Sequence, residues 1–194
     1  MSTSSATKPE WLEYVQKISR EQTLRCLQSF PLVQEAKVEV DTDNQVVPAH
    51  WMGAIVNQGA GFRMILKVYS NSEGLDQLIA SALRVSTSDL RGYQFSDFLR
   101  ELCNLASGMI KSDLSRAGLE MANSLPISTR GVDSVFFQSS AGSSSYSDRW
   151  IVSWSRGRVF FEATIDVLNQ ADLGSFDIKK AEAPEVDLFE ELLN

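Results

Sequence analysis

The chain has 194 residues, of which 43% are hydrophobic and 22% are charged, a composition typical of one globular domain with a substantial core. Its net charge of -7 and pI near 4.8 argue against general binding to nucleic acids or anionic membranes. No apolar segment approaches the roughly 20 residues of a membrane-spanning helix, and the N-terminus lacks a signal-peptide pattern. We therefore expect a cytoplasmic protein that binds neither nucleic acid nor membrane.

The residues that usually build metal sites and nucleophiles are scarce. The chain has two cysteines, Cys26 and Cys103, far apart in sequence, and one histidine, His50. Without a Cys-x-x-Cys pair, a zinc site or a disulfide framework is not expected, and both cysteines are predicted to be small buried residues. His50 is predicted to be structural. The sequence contains no G-x-S-x-G, Walker or H-E-x-x-H motif.

The first part of the chain predicts a helix, a strand, a hairpin and a second helix. Residues 1–8, rich in Ser and Thr, are expected to be a disordered lead before a domain over residues 9–169. Pro9 suits a first helical turn, and Pro31 ends that helix near Phe30. The next elements are a strand near 37–41, a hairpin of strands 51–56 and 62–69, and a helix over 72–85.

A similar order of elements follows a long central helix at residues 95–119, with Gly118 as its C-cap. The predicted strands are 121–128, 132–138, and a second hairpin of 150–154 and 159–165, with a serine-rich loop at 139–147. We therefore predict an α+β fold in which long helices pack on a mainly antiparallel sheet in two layers. Helix, strand and hairpin recur in both halves, which suggests a pseudo-duplication.

The central helix is amphipathic. At 3.6 residues per turn, one stripe carries most of its apolar residues and is predicted to be buried. This stripe consists of Phe98, Leu102, Leu105 and Met109, widened by Leu99, Ala106 and Ile110.

The opposite face carries a narrow line of residues that we call the polar row: Asp97, Glu101, Asn104, Gly108 and Lys111. Such a row can serve as a docking edge. A glutamate and an asparagine three residues apart on a wet helix face are, however, usually only solvated. Gly108 is either a tolerated surface glycine or a position where a partner's backbone comes close. Lys111 is either solvated or placed to assist an anionic phosphoryl group.

Several of these residues together resemble a known pattern. Asp97, Glu101-Leu-Cys-Asn104, Ala106-Ser-Gly108, Lys111 and Ser124-Leu-Pro126 resemble the CheX, CheC and FliY family of chemotaxis phosphatases. In that family an acidic residue or serine precedes Glu-x-x-Asn by one helical turn, and a proline lies slightly more than twenty residues beyond the asparagine. The resemblance covers about residues 10 to 169 and implies the CheC/CheX-like two-layer fold with duplicated halves.

The resemblance also bears on the first half of the chain. Its first helix offers Glu21-Gln-Thr-Leu24, with Leu24 in the place of the amide. CheC-like members can carry the motif in both halves, whereas CheX-like members carry it only in the second. One functional half, as in CheX, is therefore the better match.

Family members remove the phosphoryl group from the aspartate of CheY-type receiver domains, which hold their own Mg²⁺. The resemblance therefore implies no cofactor of the chain's own. It implies that Asn104 orients the attacking water, that Glu101 contacts a receiver lysine, and that Asp97, Gly108 and Lys111 contact the receiver. It also implies a homodimer. The alternative is a non-catalytic binding module that docks on a receiver or a flagellar switch component, and an enzyme acting on small molecules comes third.

The last part of the chain, residues 170–194, is predicted to be an acidic tail outside the domain. Val186, Phe189 and Leu193 share one face of a short helical pattern there. The tail either folds back on its domain or is disordered, or it forms an acidic helix that lies in a partner's groove. Deleting the residues after about Ala181 is expected to leave the melting temperature nearly unchanged, because so acidic a segment buries little apolar area.

Overall fold

The computed structural model describes residues 8–42, 49–131, 145–173 and 176–179. Within these ranges the chain forms three α-helices and one seven-stranded sheet. The helices are α1 (Glu10–Gln28), α2 (Ser72–Leu83) and α3 (Gly92–Arg116). The strands are β1 (Lys37–Val40), β2 (Trp51–Gly59), β3 (Phe62–Ser70), β4 (Met121–Asn123), β5 (Ile127–Arg130), β6 (Ser145–Trp154) and β7 (Gly157–Val167).

The order of the strands shows the predicted duplication. The sheet runs β1-β6-β7-β3-β2-β4, β5 also pairs with β2, and all pairs are antiparallel. The hairpins β2–β3 and β6–β7 meet at the centre along β3 and β7. The first strand of each half lies outside the other half's hairpin, since β1 pairs with β6 while β4 and β5 pair with β2. From either edge, the sheet therefore has the same order, an outer strand of one half followed by the hairpin of the other half.

All three helices share one core with one face of the sheet. Alternate residues of β3, such as Met64 and Leu66, are buried against the helices, as the period-two geometry of a strand requires. Leu78 and Ile79 bring α2 into the same core. The predicted two-layer α+β architecture is confirmed. No helix among the described residues is both long and apolar enough to cross a bilayer.

The strand predicted at residues 121–128 is interrupted. Ser124 bonds twice with β2, donating its N–H to the Val56 carbonyl at 2.8 Å and accepting the Val56 N–H on its hydroxyl at 3.0 Å. Pro126 then lies directly before β5 and has no N–H to donate to a ladder. The outer strand is consequently divided into β4 and β5, with Pro126 at the entrance to β5.

Other boundaries also differ from the sequence prediction. β6 begins at Ser145, inside the predicted serine-rich loop, because its ladder with β7 continues as far as Asp166. α2 ends at Leu83, since Arg84 adopts a left-handed conformation with φ 57°. α3 begins at Gly92, three residues earlier than predicted. The predicted strand at 132–138 lies outside the described residues.

The chain keeps contacting the domain after residue 169. Leu173 is buried, and Phe176 and Ile178 pack against the core. The ring of Phe176 lies 5.6 Å from that of Tyr14, and the Asp177 N–H donates to the Ala117 carbonyl at 3.0 Å. The predicted lead, apart from Lys8, and the predicted tail helix lie outside the described residues.

Candidate functional site: the polar row of α3

The position of α3 depends on its contact with β2. At Gly53 the helix comes so close that an added Cβ would lie 2.9 Å from the Cys103 sulfur and 3.1 Å from the Leu99 carbonyl. Further along, the hydroxyl of Ser107 donates to Oδ1 of Asn57, and both side chains are fully buried. A buried hydrogen bond has few alternative partners. These contacts fix the rotation of the helix about its axis.

That rotation determines which residues of α3 are buried. The fully buried apolar residues are Leu99, Leu102, Cys103, Ala106, Ile110 and Leu114. Phe98 and Met109 are only partly buried, and Leu105 is 44% exposed. The prediction that Leu105 is buried is wrong, because Cys103 and the polar Ser107 face the sheet and turn Leu105 outward. The predicted burial of Cys26 and Cys103 is confirmed.

The polar row faces solvent. Asp97, Glu101, Asn104 and Gly108 are exposed, and Lys111 is half-buried. Glu101 and Asn104 lie three residues apart, which separates them by about 4.5 Å along the helix axis. Within the described part of the chain, neither side chain takes part in a hydrogen bond or an ion pair. Their carboxylate and amide are therefore available to a bound partner.

The groups around Glu101 are an exposed ion pair and two buried cysteines. Asp97 pairs with Arg100 one turn along, and both side chains are about half exposed. Burial, with a smaller contribution from the Glu101 carboxylate, raises the pKa of Cys26 to about 11. Burial also raises the pKa of Cys103 to about 12, with a smaller contribution from Cys26. Both cysteines are protonated at neutral pH, so neither is a ready nucleophile.

Gly108 has open space where a side chain would be. No heavy atom lies within 4 Å of a Cβ built at this position, so packing within the described chain does not require glycine. Lys111 lies beside it, and both line a shallow depression with Ser112, Ser115 and Arg116. The absence of a side chain widens the approach to Asn104 from the C-terminal side of the row.

An apolar groove that sequence reasoning missed adjoins the row. Helices α2 and α3 enclose about 390 Å³, which we call the α2–α3 groove. Its apolar lining comes from Ile79, Leu83, Tyr93 and Phe98, and its polar lining comes from Gln94, Asp97 and Glu101. Tyr93 lies one helical turn before Asp97, and this spacing is the signal that could have placed it beside the polar row.

The corresponding motif position on α1 lacks both the chemistry and the exposure. Glu21 and Leu24 are each half-buried, and Leu24 packs against the core. His50 is exposed, and its carbonyl accepts the Gly131 N–H at 3.2 Å. Among the described residues, no group of three or more His, Cys, Asp or Glu side chains is arranged to hold a metal ion.

No protein-family model and no curated protein matches the chain, but solved structures match its fold. The chemotaxis protein CheX from Vibrio vulnificus is 15% identical with a TM-score of 0.61, over 79% of this chain and 99% of that chain. A chain of the CheX-CheY-BeF3-Mg²⁺ complex from Borrelia burgdorferi is 12% identical with a TM-score of 0.60, over 78% of this chain and 96% of that chain. CheC-like proteins from two Shewanella strains match similarly.

A second group of matching structures comes from the FliM protein. A chain of the FliM-SpeE complex from H. pylori is 12% identical with a TM-score of 0.59, over 89% of this chain and 99% of that chain. At such identities the likeness shows a shared fold. The fold is thus the one that the CheX, CheC and FliY resemblance predicted.

Proposed function

We propose that this chain, which has the CheX/CheC-like fold, is a phosphatase that hydrolyses the phosphoaspartate of a CheY-type receiver domain. The observation that carries the proposal is the state of Glu101 and Asn104. Both are exposed on one face of α3, one helical turn apart, without a partner among the described residues. A single helix entering the receiver's site would bring both groups to the phosphoryl group together.

The reaction needs an oriented water more than a nucleophile from this chain. The water oxygen forms a bond to phosphorus, and the bond between phosphorus and the aspartate oxygen breaks. The aspartate leaves as a carboxylate with the bonding electron pair, and the water protons go to inorganic phosphate and solvent. The Asn104 carbonyl accepts a hydrogen bond from the water and holds it in line. Such positioning accounts for much of the rate in phosphoryl transfer.

The remaining residues of the row fix the register of the complex. Glu101 pairs with a lysine of the receiver, and Asp97 contacts the receiver one turn away. Gly108 leaves room for the receiver's backbone, and Lys111 lies where it can attract the phosphoryl group. The Mg²⁺ that neutralises the phosphoryl oxygens is held by the receiver, so this chain contributes no metal ion. By the same resemblance we expect a homodimer.

The second candidate function is a non-catalytic module that docks on a receiver or on a flagellar switch component. The FliM structures that share this fold favour it. An exposed, unpartnered row also serves binding. The two functions differ in what Asn104 does, because a module has no water to orient.

Paired measurements of affinity and turnover separate these candidates. Asn104→Ala should abolish the accelerated decay of a phosphorylated receiver while changing the binding free energy by less than about 1 kcal/mol. Glu101→Ala should weaken both, because removing one partner of an interfacial charge pair costs about 2–5 kcal/mol. Equal decay with wild-type and Asn104→Ala protein would contradict the catalytic assignment, and binding without acceleration by wild type would favour the module.

A further inference from the structure

We propose that the α2–α3 groove receives an apolar anchor side chain of the same receiver, next to a basic residue of the receiver that meets Glu101. This inference rests on the proposed function and adds a second contact region to it. It starts from an apolar surface that the described part of the chain leaves uncovered, directly beside the polar row.

The groove has a buried floor and exposed walls. Ile79 is fully buried at its base, whereas Leu83 is 47% exposed and Tyr93 is 65% exposed. Phe98 is held from the other side, with its ring 5.5 Å from that of Phe30. A rigid base with accessible apolar walls is typical of pockets that receive an anchor residue at a protein interface.

A short, hydrogen-bonded connection joins the two helices that line the groove. Arg84, in its left-handed conformation, ends α2, and the Val85 N–H bonds back to the Ala80 carbonyl at 3.0 Å. A short 3₁₀ turn at Thr87–Asp89 then leads into α3 at Gly92. Leu83 and Tyr93 thus lie on the last turn of one helix and the first turn of the next.

The size and charge of the groove identify its occupant. A volume of about 390 Å³ is near the low end of the range for small-molecule sites, and the lining includes the exposed Asp97 and Glu101 of the polar row. Its lining is mainly apolar, so it suits one or two apolar side chains. The carboxylate of Glu101 lies on the rim without a partner among the described residues, while Asp97 is already paired with Arg100. An apolar side chain followed by a lysine or arginine is complementary to this arrangement.

The groove and the polar row form one continuous surface, because Asp97 and Glu101 belong to both. A receiver that places its phosphoryl group at Asn104 must therefore cover the groove or lie directly beside it. Covering Leu83 and Tyr93 removes apolar surface from water, which contributes affinity. The groove should consequently affect the affinity of the complex and leave the chemical step unchanged.

The test uses the full chain and a panel of receivers from the same organism, loaded with beryllofluoride and Mg²⁺ for calorimetry or phosphorylated for decay assays. Leu83→Asp should raise Kd at least about tenfold, since it places a charge in the apolar contact. Tyr93→Ala should raise Kd by roughly three- to tenfold. At saturating concentration, the decay rate of the phosphorylated receiver should stay within about twofold of wild type for both variants.

The matched control is Leu168→Asp. Leu168 is 50% exposed, similar to Leu83, and its N–H bonds to the Gly61 carbonyl at the opposite end of β3 from α2. Its substitution should leave Kd within about twofold of wild type. If Leu83→Asp and Tyr93→Ala, shown to be folded by circular dichroism, change Kd no more than Leu168→Asp does, the groove does not bind the receiver.

A cross-linking measurement covers the case in which Leu83→Asp fails to fold. The native cysteines are buried, so Leu83→Cys can be labelled selectively with a benzophenone reagent. Illumination should cross-link it to a receiver segment with adjacent apolar and basic residues, and labelled Leu168→Cys should not cross-link. The reverse pattern would overturn the inference.

The two proposals fail in different ways. If Asn104→Ala retains full acceleration while Leu83→Asp weakens binding, the catalytic assignment fails and the groove stands. If Asn104→Ala loses acceleration and the groove variants bind normally, only the groove inference fails. A wild-type protein that neither binds nor accelerates any receiver of the panel would overturn both.

Discussion

Helices α1 and α3 occupy equivalent places in the two halves of the fold, yet they use their polar residues differently. Eleven of the 19 residues of α1 are buried, against seven of the 25 residues of α3. On α1, Arg20 pairs with Asp148 of β6, and the Thr23 hydroxyl accepts the indole N–H of Trp150 at 2.8 Å. On α3, Glu101 and Asn104 have no such partner among the described residues. The comparison shows that one copy of a duplicated helix serves the fold while the other is available to a partner.

The largest expected difference between the helices concerns their ion pairs. Arg20 and Asp148 form two contacts of 2.6 and 2.8 Å, and the Asp148 side chain is only 7% exposed. Arg20→Ala should lower the free energy of unfolding by about 3 kcal/mol, because it leaves a buried carboxylate unpaired. Arg100→Ala removes the exposed pair with Asp97 and should cost less than about 1 kcal/mol. Urea denaturation measures both, and equal losses would contradict the contrast.

A smaller effect is expected at the contact that fixes α3 on the sheet. Ser107→Ala leaves the buried Asn57 oxygen without its donor, which should cost about 1–3 kcal/mol of unfolding free energy. Removing both polar groups with Ser107→Ala and Asn57→Leu should recover about half of that loss. Thermal denaturation checks this. A single variant as stable as wild type would mean that the hydrogen bond does not anchor the helix.

Replacing glycine by alanine should have opposite effects on stability at Gly53, which packs against α3, and at Gly108, on the exposed face of α3. Gly108→Ala fills open space on a helix and should raise the free energy of unfolding by about 1 kcal/mol. Gly53→Ala, the same change on β2, forces a Cβ against Cys103 and should lower it by about 1–3 kcal/mol. Gly108→Leu should keep the fold and block receiver binding by bulk. In the same denaturation series, a Gly53→Ala variant more stable than wild type, or a Gly108→Ala variant less stable than wild type, would contradict this account of the two glycines.

No gain of function is expected from restoring the motif on α1. Leu24→Asn places an amide at the position corresponding to Asn104, but that position is half-buried and packed against the core. In an Asn104→Ala background, Leu24→Asn should not restore accelerated decay of a phosphorylated receiver. A clear recovery of the rate would show that α1 is also accessible to the receiver.

The sequence was sufficient for features that local residues determine. Pro9 and Pro31 bound the first helix, Gly118 adopts φ 82° after α3, and a two-residue turn at Ser155-Arg156 joins β6 to β7. At the two prolines and at Gly118, backbone geometry restricts the position whatever the rest of the chain does. The exposure of Asp97, Glu101 and Asn104 also followed from helical periodicity.

Features that depend on distant residues could not be predicted. Helical periodicity predicts Leu105 as a core residue, but the hydrogen bond between Ser107 and Asn57, fifty residues apart in sequence, fixes the rotation of α3 and leaves Leu105 exposed. The α2–α3 groove exists only because two helices meet, and neither Leu83 nor Tyr93 signals it alone. The interruption of the outer strand likewise depends on the pairing of Ser124 with Val56. Strand order and helix rotation are tertiary effects that override local periodicity.

The most direct test of the central claim is the single-turnover decay of a phosphorylated receiver in Mg²⁺ with this chain in excess. Three proteins are compared: wild type, Asn104→Ala and Leu24→Asn. We expect wild type and Leu24→Asn to accelerate the decay equally, and Asn104→Ala to leave it at the receiver's own rate while still binding. Acceleration by Asn104→Ala equal to that of wild type would contradict the claim that the polar row of α3 performs the chemistry.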